Sequence, residues 1–277
     1  MSYQNFVPTV WAAQLERERE RAVVAAKLCY REWEGQLADA GDTVKITGVG
    51  RPTIGTYVKN STVITPENLQ AWSVPLQVNQ SKYFAFEVDD IDKRQAAGKI
   101  MGAQMAEAAA ALAEDEDSYI YTKYADAGHT VDLSGVTTAT LFSKIMAGIQ
   151  YLWTQKVPKN ETLHLEASPG LLAKMVLAKI VHASTNDKTV DNGYVDQFLN
   201  CKTYLANGVY NDGTYDYCFL RTKKAIGLVD QMSKTEAYRP ESAFSDAVKG
   251  LHLYDAKVIR PKELVVLKFS AGAETAI

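Results

Sequence analysis

The chain has 277 residues, 47% hydrophobic and 23% charged, with a formal net charge of −3 and an isoelectric point near 5.9. That length supports one large domain or two compact ones with a real core. The balance excludes the basic footprint of a tight nucleic-acid binder, and no apolar run approaches the ~20 residues that cross a bilayer. Nor does the start read as a basic-then-apolar leader, so a soluble, cytoplasmic setting is expected. Cys29, Cys201 and Cys218 are odd in number and widely spaced, which fits neither a disulfide framework nor a zinc site and points to reduced, buried thiols.

In chain order, residues 8–37 read as a helical arm: Pro8 suits a first turn, and Trp11, Leu15, Val23, Ala26, Tyr30, Trp33 and Leu37 recur at mostly helical spacing. Within the arm lies the alternating block Glu16, Arg17, Glu18, Arg19, Glu20, Arg21. Neighbours three apart attract and neighbours four apart repel, so the block gains little from its own helix. It serves either as a solvated face or as an ion-pairing strip for another subunit.

Gly41-Asp42-Thr43-Val44-Lys45-Ile46 reads as a turn entering a strand, followed by a break at Gly48 to Pro52. Ile54, Thr56 and Val58, then Trp72, Val74, Leu76, Val78, Phe84, Phe86 and Val88 all fall at even positions, one face of a period-two strand. Gln80 and Lys82 interrupt that face, and a bulge is expected at 79–82. Seventeen extended residues span about 56 Å, against a compact body roughly 50 Å across. A hairpin of that reach projects, and an apolar projecting hairpin invites aggregation unless another chain covers it.

A spine helix is expected over 93–124, about 48 Å long. Asp92 and Gln95 sit as in a capping box, and Ala97, Met101, Met105, Ala108 and Leu112 form its stripe. The acids at 114–117 require the helix to continue past them or to meet cations. A second helix is expected over 138–155, a boundary at Val157-Pro158-Lys159-Asn160, and a strand over 162–166. A helix follows to 181, with Ser168 as N-cap and Pro169 at its first position. Short strands near Thr203 and over 217–220, a linker around Arg239-Pro240 and a last strand over 263–269 complete the reading.

Candidate chemistry is sparse. Gly48-x-Gly50 with Gly55 lacks the helix that a phosphate loop needs. Glu87, Asp89, Asp90 and Asp92 miss calcium-loop spacing and read as helix capping. His129, His164, His182 and His252 share no ligand spacing. Ser168-Pro169-Gly170 is explained by capping alone, and no nucleophile elbow occurs. The expectation is therefore no catalytic residue, no cofactor and no metal.

The order of elements resembles the coat-protein fold of tailed bacteriophages, the Hong Kong 97-like capsid fold. Gly41 to Ile46 is similar to the opening of its extended loop. Phe84-Ala85-Phe86-Glu87-Val88-Asp89-Asp90-Ile91-Asp92 with Gln95 resembles the exit into its spine. Glu236 to Pro240 and Ala247-Val248-Lys249-Gly250-Leu251-His252-Leu253-Tyr254-Asp255-Ala256-Lys257-Val258 resemble its closing segment. Asp255 departs from the glycine that many relatives place after the tyrosine.

The resemblance implies an α+β subunit with an N-terminal arm (1–40), an extended β-hairpin loop (41–91), a peripheral domain with the spine helix (92–156) and a mixed α/β axial domain (157–257). A C-terminal strand (258–277) would return to the peripheral domain. It implies a non-enzymatic major capsid protein that self-assembles, as pentamers and hexamers, into an icosahedral shell around double-stranded DNA. Scaffolding, portal or cement proteins are possible partners; contact with the packaged DNA is weak and non-specific, and no membrane is involved. The expected setting is the virion, and the host cytoplasm during assembly. Glu16 to Arg21, Arg51 and Lys59 are the expected inter-subunit contacts. Two alternatives stand beside this reading: an encapsulin-type compartment shell, and a metabolic enzyme with a scattered site in residues 157–257.

Overall fold

A computed structural model describes residues 23–32, 43–49, 53–59, 63, 68, 71–89, 100–158, 160–180, 194–241 and 244–270. Among these the chain forms eleven strands and three α-helices arranged around three sheets.

The smallest sheet is a hairpin: β1 (Thr43–Val49) pairs antiparallel with β2 (Ala71–Gln77), from Thr43 opposite Gln77 to Val49 opposite Ala71. The second sheet has the order β3-β10-β9, with β3 (Gln80–Asp89) and β9 (Ile226–Tyr238) both antiparallel to the central β10 (Ser245–Val258). The third is six-stranded and mixed: β4 (His129–Leu133), β11 (Leu264–Phe269), β8 (Asp216–Arg221), β5 (Leu163–Ala167), β7 (Cys201–Leu205) and β6 (Tyr194–Phe198), in that order. In it β4 runs parallel to β11, and β5 parallel to β7.

Helix α1 (Ile100–Tyr121) is the spine. Met105, Ala109 and Leu112 bury against Val88 and Val248, with Phe84 and Phe86 packed alongside. The helix passes over the acids at 114–117 and ends in a 3₁₀ turn, Thr122–Asp126. Helices α2 (Thr138–Thr154) and α3 (Pro169–Leu177) cover one face of the six-stranded sheet. Leu141, Ile145, Ile149 and Leu152 of α2 and Leu171 and Met175 of α3 meet Leu163, Leu165, Leu220, Val265 and Leu267 there. Ser168 Oγ accepts the Leu171 N–H at 3.3 Å, as its capping position requires.

The opposite face of that sheet carries Phe219, Leu264 and Val266. They pack on Ile120 and Tyr121 from the end of the spine and on Val23, Ala25 and Ala26 from the arm. With both faces covered, the uninterrupted apolar run Leu264-Val265-Val266-Leu267 is what a central strand needs.

Several expectations change. The even-faced segment is not one long strand: it breaks at Val78 and Asn79, and β2 and β3 join different sheets. The irregularity expected at 79–82 is thus a change of sheet and not a bulge within one strand; periodicity says which side chains share a face, and nothing about which partner strand each half finds. Seven paired residues span about 23 Å, less than the reach expected of one continuous strand. In the arm, residues 23–32 are not continuous helix, because Ala26–Leu28 is a 3₁₀ turn and Tyr30 bridges in parallel to Gly227. Helical spacing there reflects burial of Val23, Ala26 and Cys29, not a regular helix.

The two larger sheets also divide the chain differently from the expected boundaries. β4 and α2, before residue 157, belong with the six-stranded sheet, whereas β9 and most of β10, before 257, belong with β3 and the spine. The last strand, β11, enters the six-stranded sheet. Strands β4, β6, β9 and β10 had no clear pattern in the sequence.

One glycine is required by a close approach. Gly128 donates its N–H to the Pro261 carbonyl at 2.9 Å, and a Cβ there would lie 2.4 Å from that oxygen. Backbone meets backbone at this point, so neither side can yield cheaply. Gly128→Ala is expected to cost about 1–3 kcal/mol, read as a lowered midpoint in urea denaturation.

Candidate assembly surface and its buried anchor

The β1–β2 hairpin is anchored at its root, and large apolar side chains described beyond its paired strands are exposed. At its root Ile46, Leu76 and Val78 are buried against Val229, Leu253 and Ile259. The Lys257 ammonium also donates to the Pro75 carbonyl at 2.9 Å. Beyond the paired strands Ile54 is 87% exposed, Tyr57 65% and Val63 86%. These side chains occupy the irregular segment between β1 and β2, where a solvated loop would ordinarily carry polar residues.

The joint between hairpin and spine sheet is polar. The Asn79 N–H donates to Asp255 Oδ2 at 3.2 Å, and the Tyr119 hydroxyl donates to Asp255 Oδ1 at 2.9 Å. Lys123 Nζ donates to the Tyr119 oxygen at 2.9 Å. Close by, Asp115 accepts from Lys82 at 3.2 Å and from the Tyr254 hydroxyl at 2.5 Å. Asp255 thus receives the backbone where the chain changes sheets, a role glycine cannot fill.

Behind the joint lies a buried network that holds the arm. In β5, Leu163, Leu165 and Ala167 face the helices, so the period-two alternation turns Glu166 to the arm side, and β8 places Arg221 on the same side. Both are fully buried. Arg221 Nε donates to Glu166 Oε1 at 2.6 Å, Nη1 to the Leu28 carbonyl at 2.7 Å and Nη2 to the Ala25 carbonyl at 3.1 Å. The Tyr121 hydroxyl donates to Glu166 Oε2 at 2.7 Å. One turn earlier on the spine, the Asp117 carboxylate accepts the N–H groups of Val24, Ala25 and Ala26 at 2.7, 3.2 and 3.1 Å. A carboxylate at the N–H end of the 3₁₀ turn and a guanidinium at its carbonyls cap both termini. Burial pushes the Asp117 carboxyl up to about 6 against those three bonds, and pushes the Cys29 thiol up to about 12.

A second buried cluster joins Glu116, Asp230 and His252, whose donor atoms lie within 4.8 Å of one another. His252 Nε2 sits 2.5 Å from Asp230 Oδ1, and Arg31 donates to Asp230 Oδ2 at 2.8 Å. Both oxygens of Asp230 are thereby engaged, by the imidazole and by the arm's guanidinium.

No family model matches the chain, and no curated protein matches it. Solved structures do. One from Mycobacterium phage Che8 superposes with a TM-score of 0.68 at 25% identity, covering 88% of this chain and 90% of that one. The capsid structure of the cyanophage P-SCSP1u gives 0.68 at 14% identity, over 90% and 89%. This is the tailed-phage capsid fold. A virus-like particle from Pyrococcus furiosus shares it at a TM-score of 0.59 and 11% identity, over 92% and 96%.

Of the contacts expected from sequence, Glu16 to Arg21 and Arg51 lie outside the described residues. Lys59 lies in the exposed irregular stretch of the hairpin, beside Val58. His182 lies outside the described residues, and the described histidines are unrelated to one another: His129 stacks on Tyr151 with centroids 4.4 Å apart, and His164 is buried opposite Arg221. Burial, then the Arg221 charge, pushes the His164 imidazole down to about 3. Gly48 lies within β1, and Glu87 and Asp89 point outward from β3. The three cysteines are buried and unbridged. Sequence reasoning missed the Glu166, Arg221 and Asp117 anchor. For Glu166 and Arg221 the available signal was a charge set among apolar neighbours, as in Leu165-Glu166-Ala167 and Phe219-Leu220-Arg221; Asp117 gave none, because it closes the acidic run from Glu114.

Proposed function

We propose that this chain is the major capsid protein of a tailed bacteriophage, a shell subunit that works by binding copies of itself and not by catalysis. The supporting observation is the hairpin whose root is buried in its own subunit while Ile54, Tyr57 and Val63 beyond it are bare, on a chain with the capsid fold. An apolar, unpaired extension finds its burial on a neighbour, and contacts between unlike surfaces build closed shells when the rotations close. In this reading the spine helix with the three-stranded sheet forms the peripheral domain, and the six-stranded sheet with α2 and α3 forms the axial domain, at the centres of pentamers and hexamers. Lys59, Arg51 and the Glu16 to Arg21 strip contribute inter-subunit contacts. The shell encloses double-stranded DNA within the virion, with scaffolding, portal or cement proteins as further partners.

Size-exclusion chromatography followed by negative-stain microscopy of the purified chain tests this. Closed particles of megadalton mass are expected; a small, discrete oligomer under every assembly condition overturns it. The likeness to the archaeal virus-like particle favours one second reading, a compartment shell that packages protein. Particles purified from the native source and found to hold protein cargo without DNA would select that reading.

A further inference from the structure

We infer that docking of the arm segment at residues 23–31 is coupled to uptake of a proton by Asp117, so that the arm is held more firmly in mildly acidic solution than above neutrality. The geometry carries this. Asp117, Glu166 and Arg221 are all buried beneath the arm, two carboxylates to one guanidinium. Glu166 takes the guanidinium directly at 2.6 Å and the Tyr121 hydroxyl at 2.7 Å. Asp117 is left with three backbone N–H dipoles as its described partners. Among the described residues one negative charge in the cluster is therefore uncompensated, and burial disfavours it.

The other titratable groups facing the site do not relieve it. From the arm, Cys29 stays a neutral thiol, its titration pushed up to about 12 by burial. From the spine, burial and then the Glu166 charge raise the Tyr121 phenol well above its ordinary value. From β5 the Glu166 charge pushes Asp117 further in the same direction, after burial itself. Gly208, packed against the Asp117 side chain from the loop after β7, brings no charge. The three N–H bonds act the other way and are outweighed.

The sign follows from linkage. Undocking exposes the carboxyl and returns it towards its ordinary 3.8, whereas docked it titrates at about 6. Between those values the docked form binds more protons, so docking weakens as pH rises through about 6 and strengthens as pH falls through it. From pH 7.5 to pH 5 the docking equilibrium is expected to shift about tenfold towards the docked form.

Hydrogen exchange on the full-length chain, corrected for intrinsic rates, reads this directly at the amides of Val24, Ala25 and Ala26. Their protection is expected to rise about tenfold from pH 7.5 to pH 5 in the wild type, and to stay flat in Asp117→Asn. Wild-type protection that is unchanged or lower at pH 5, or an Asn variant that responds like the wild type, overturns the inference. Should the variant fail to fold, titration of the Asp117 carboxyl by NMR in the wild type decides it. A midpoint near 6 supports the coupling; an ordinary carboxylate midpoint overturns it.

Discussion

Replacing Arg221 by methionine is expected to lower the unfolding free energy by about 3–5 kcal/mol, the loss seen when one partner of a buried ion pair is removed. The substitution leaves Glu166 buried with only the Tyr121 hydroxyl, strands the Leu28 carbonyl, and leaves the Ala25 carbonyl with the Leu28 N–H and the Cys29 thiol. Methionine is close to arginine in volume and flexible, so little cavity adds to the electrostatic loss. Combining Arg221→Met with Glu166→Gln removes the orphan charge while keeping an acceptor for Tyr121, and is expected to recover most of the loss. Urea denaturation of the single and double variants measures both. A single-variant cost below about 1 kcal/mol would mean that water reaches Glu166 and that the arm is not sealed over it.

Charged substitutions along the hairpin are expected to split sharply by position. Ile54→Asp with Tyr57→Asp alters bare side chains and should leave the isolated subunit within about 0.5 kcal/mol of wild type. The same pair is expected to abolish closed particles, because the burial these residues find on a neighbour would then desolvate two carboxylates. Leu76→Asp, at a residue 1% exposed in the root, is expected to unfold the subunit itself. Chemical denaturation and particle counts by microscopy separate the two effects. Normal shells from the Ile54 and Tyr57 double variant would remove the hairpin tip from the assembly contact.

The contrast between root and tip shows what the amino-acid order could and could not convey. Alternation placed Leu76, Val78 and Val88 on one face, and that face is buried where the chain is described within the root and spine sheet. The interruption at Gln80 and Lys82 signalled an irregularity at 79–82, but not that the chain changes sheets at Asn79, where the backbone meets an acceptor 176 residues away in Asp255. Helix α2 and the Ser168 cap were legible because their causes are local: a stripe from Leu141 to Leu152, and a hydroxyl three residues before the N–H it accepts. Strands β9 and β10 were obscure because a register shift at Leu251 and His252 and partial cover on both faces erase the period. The anchor was obscure for a different reason. Glu166 and Arg221 are 55 residues apart and become partners only through the pairing of β5 with β8.

The strand order also dictates a timetable for synthesis. The spine sheet is organised by β10, which pairs β3 across more than half the chain, and β11 sits between β4 and β8 in the other sheet. Neither sheet can close until residues 245–269 have left the ribosome, so an emerging chain holds no finished surface to offer a sister molecule. Contacts so distant in sequence fold slowly. The interval between release and closure is therefore when a folding helper would matter most, and when premature polymerisation is kept in check.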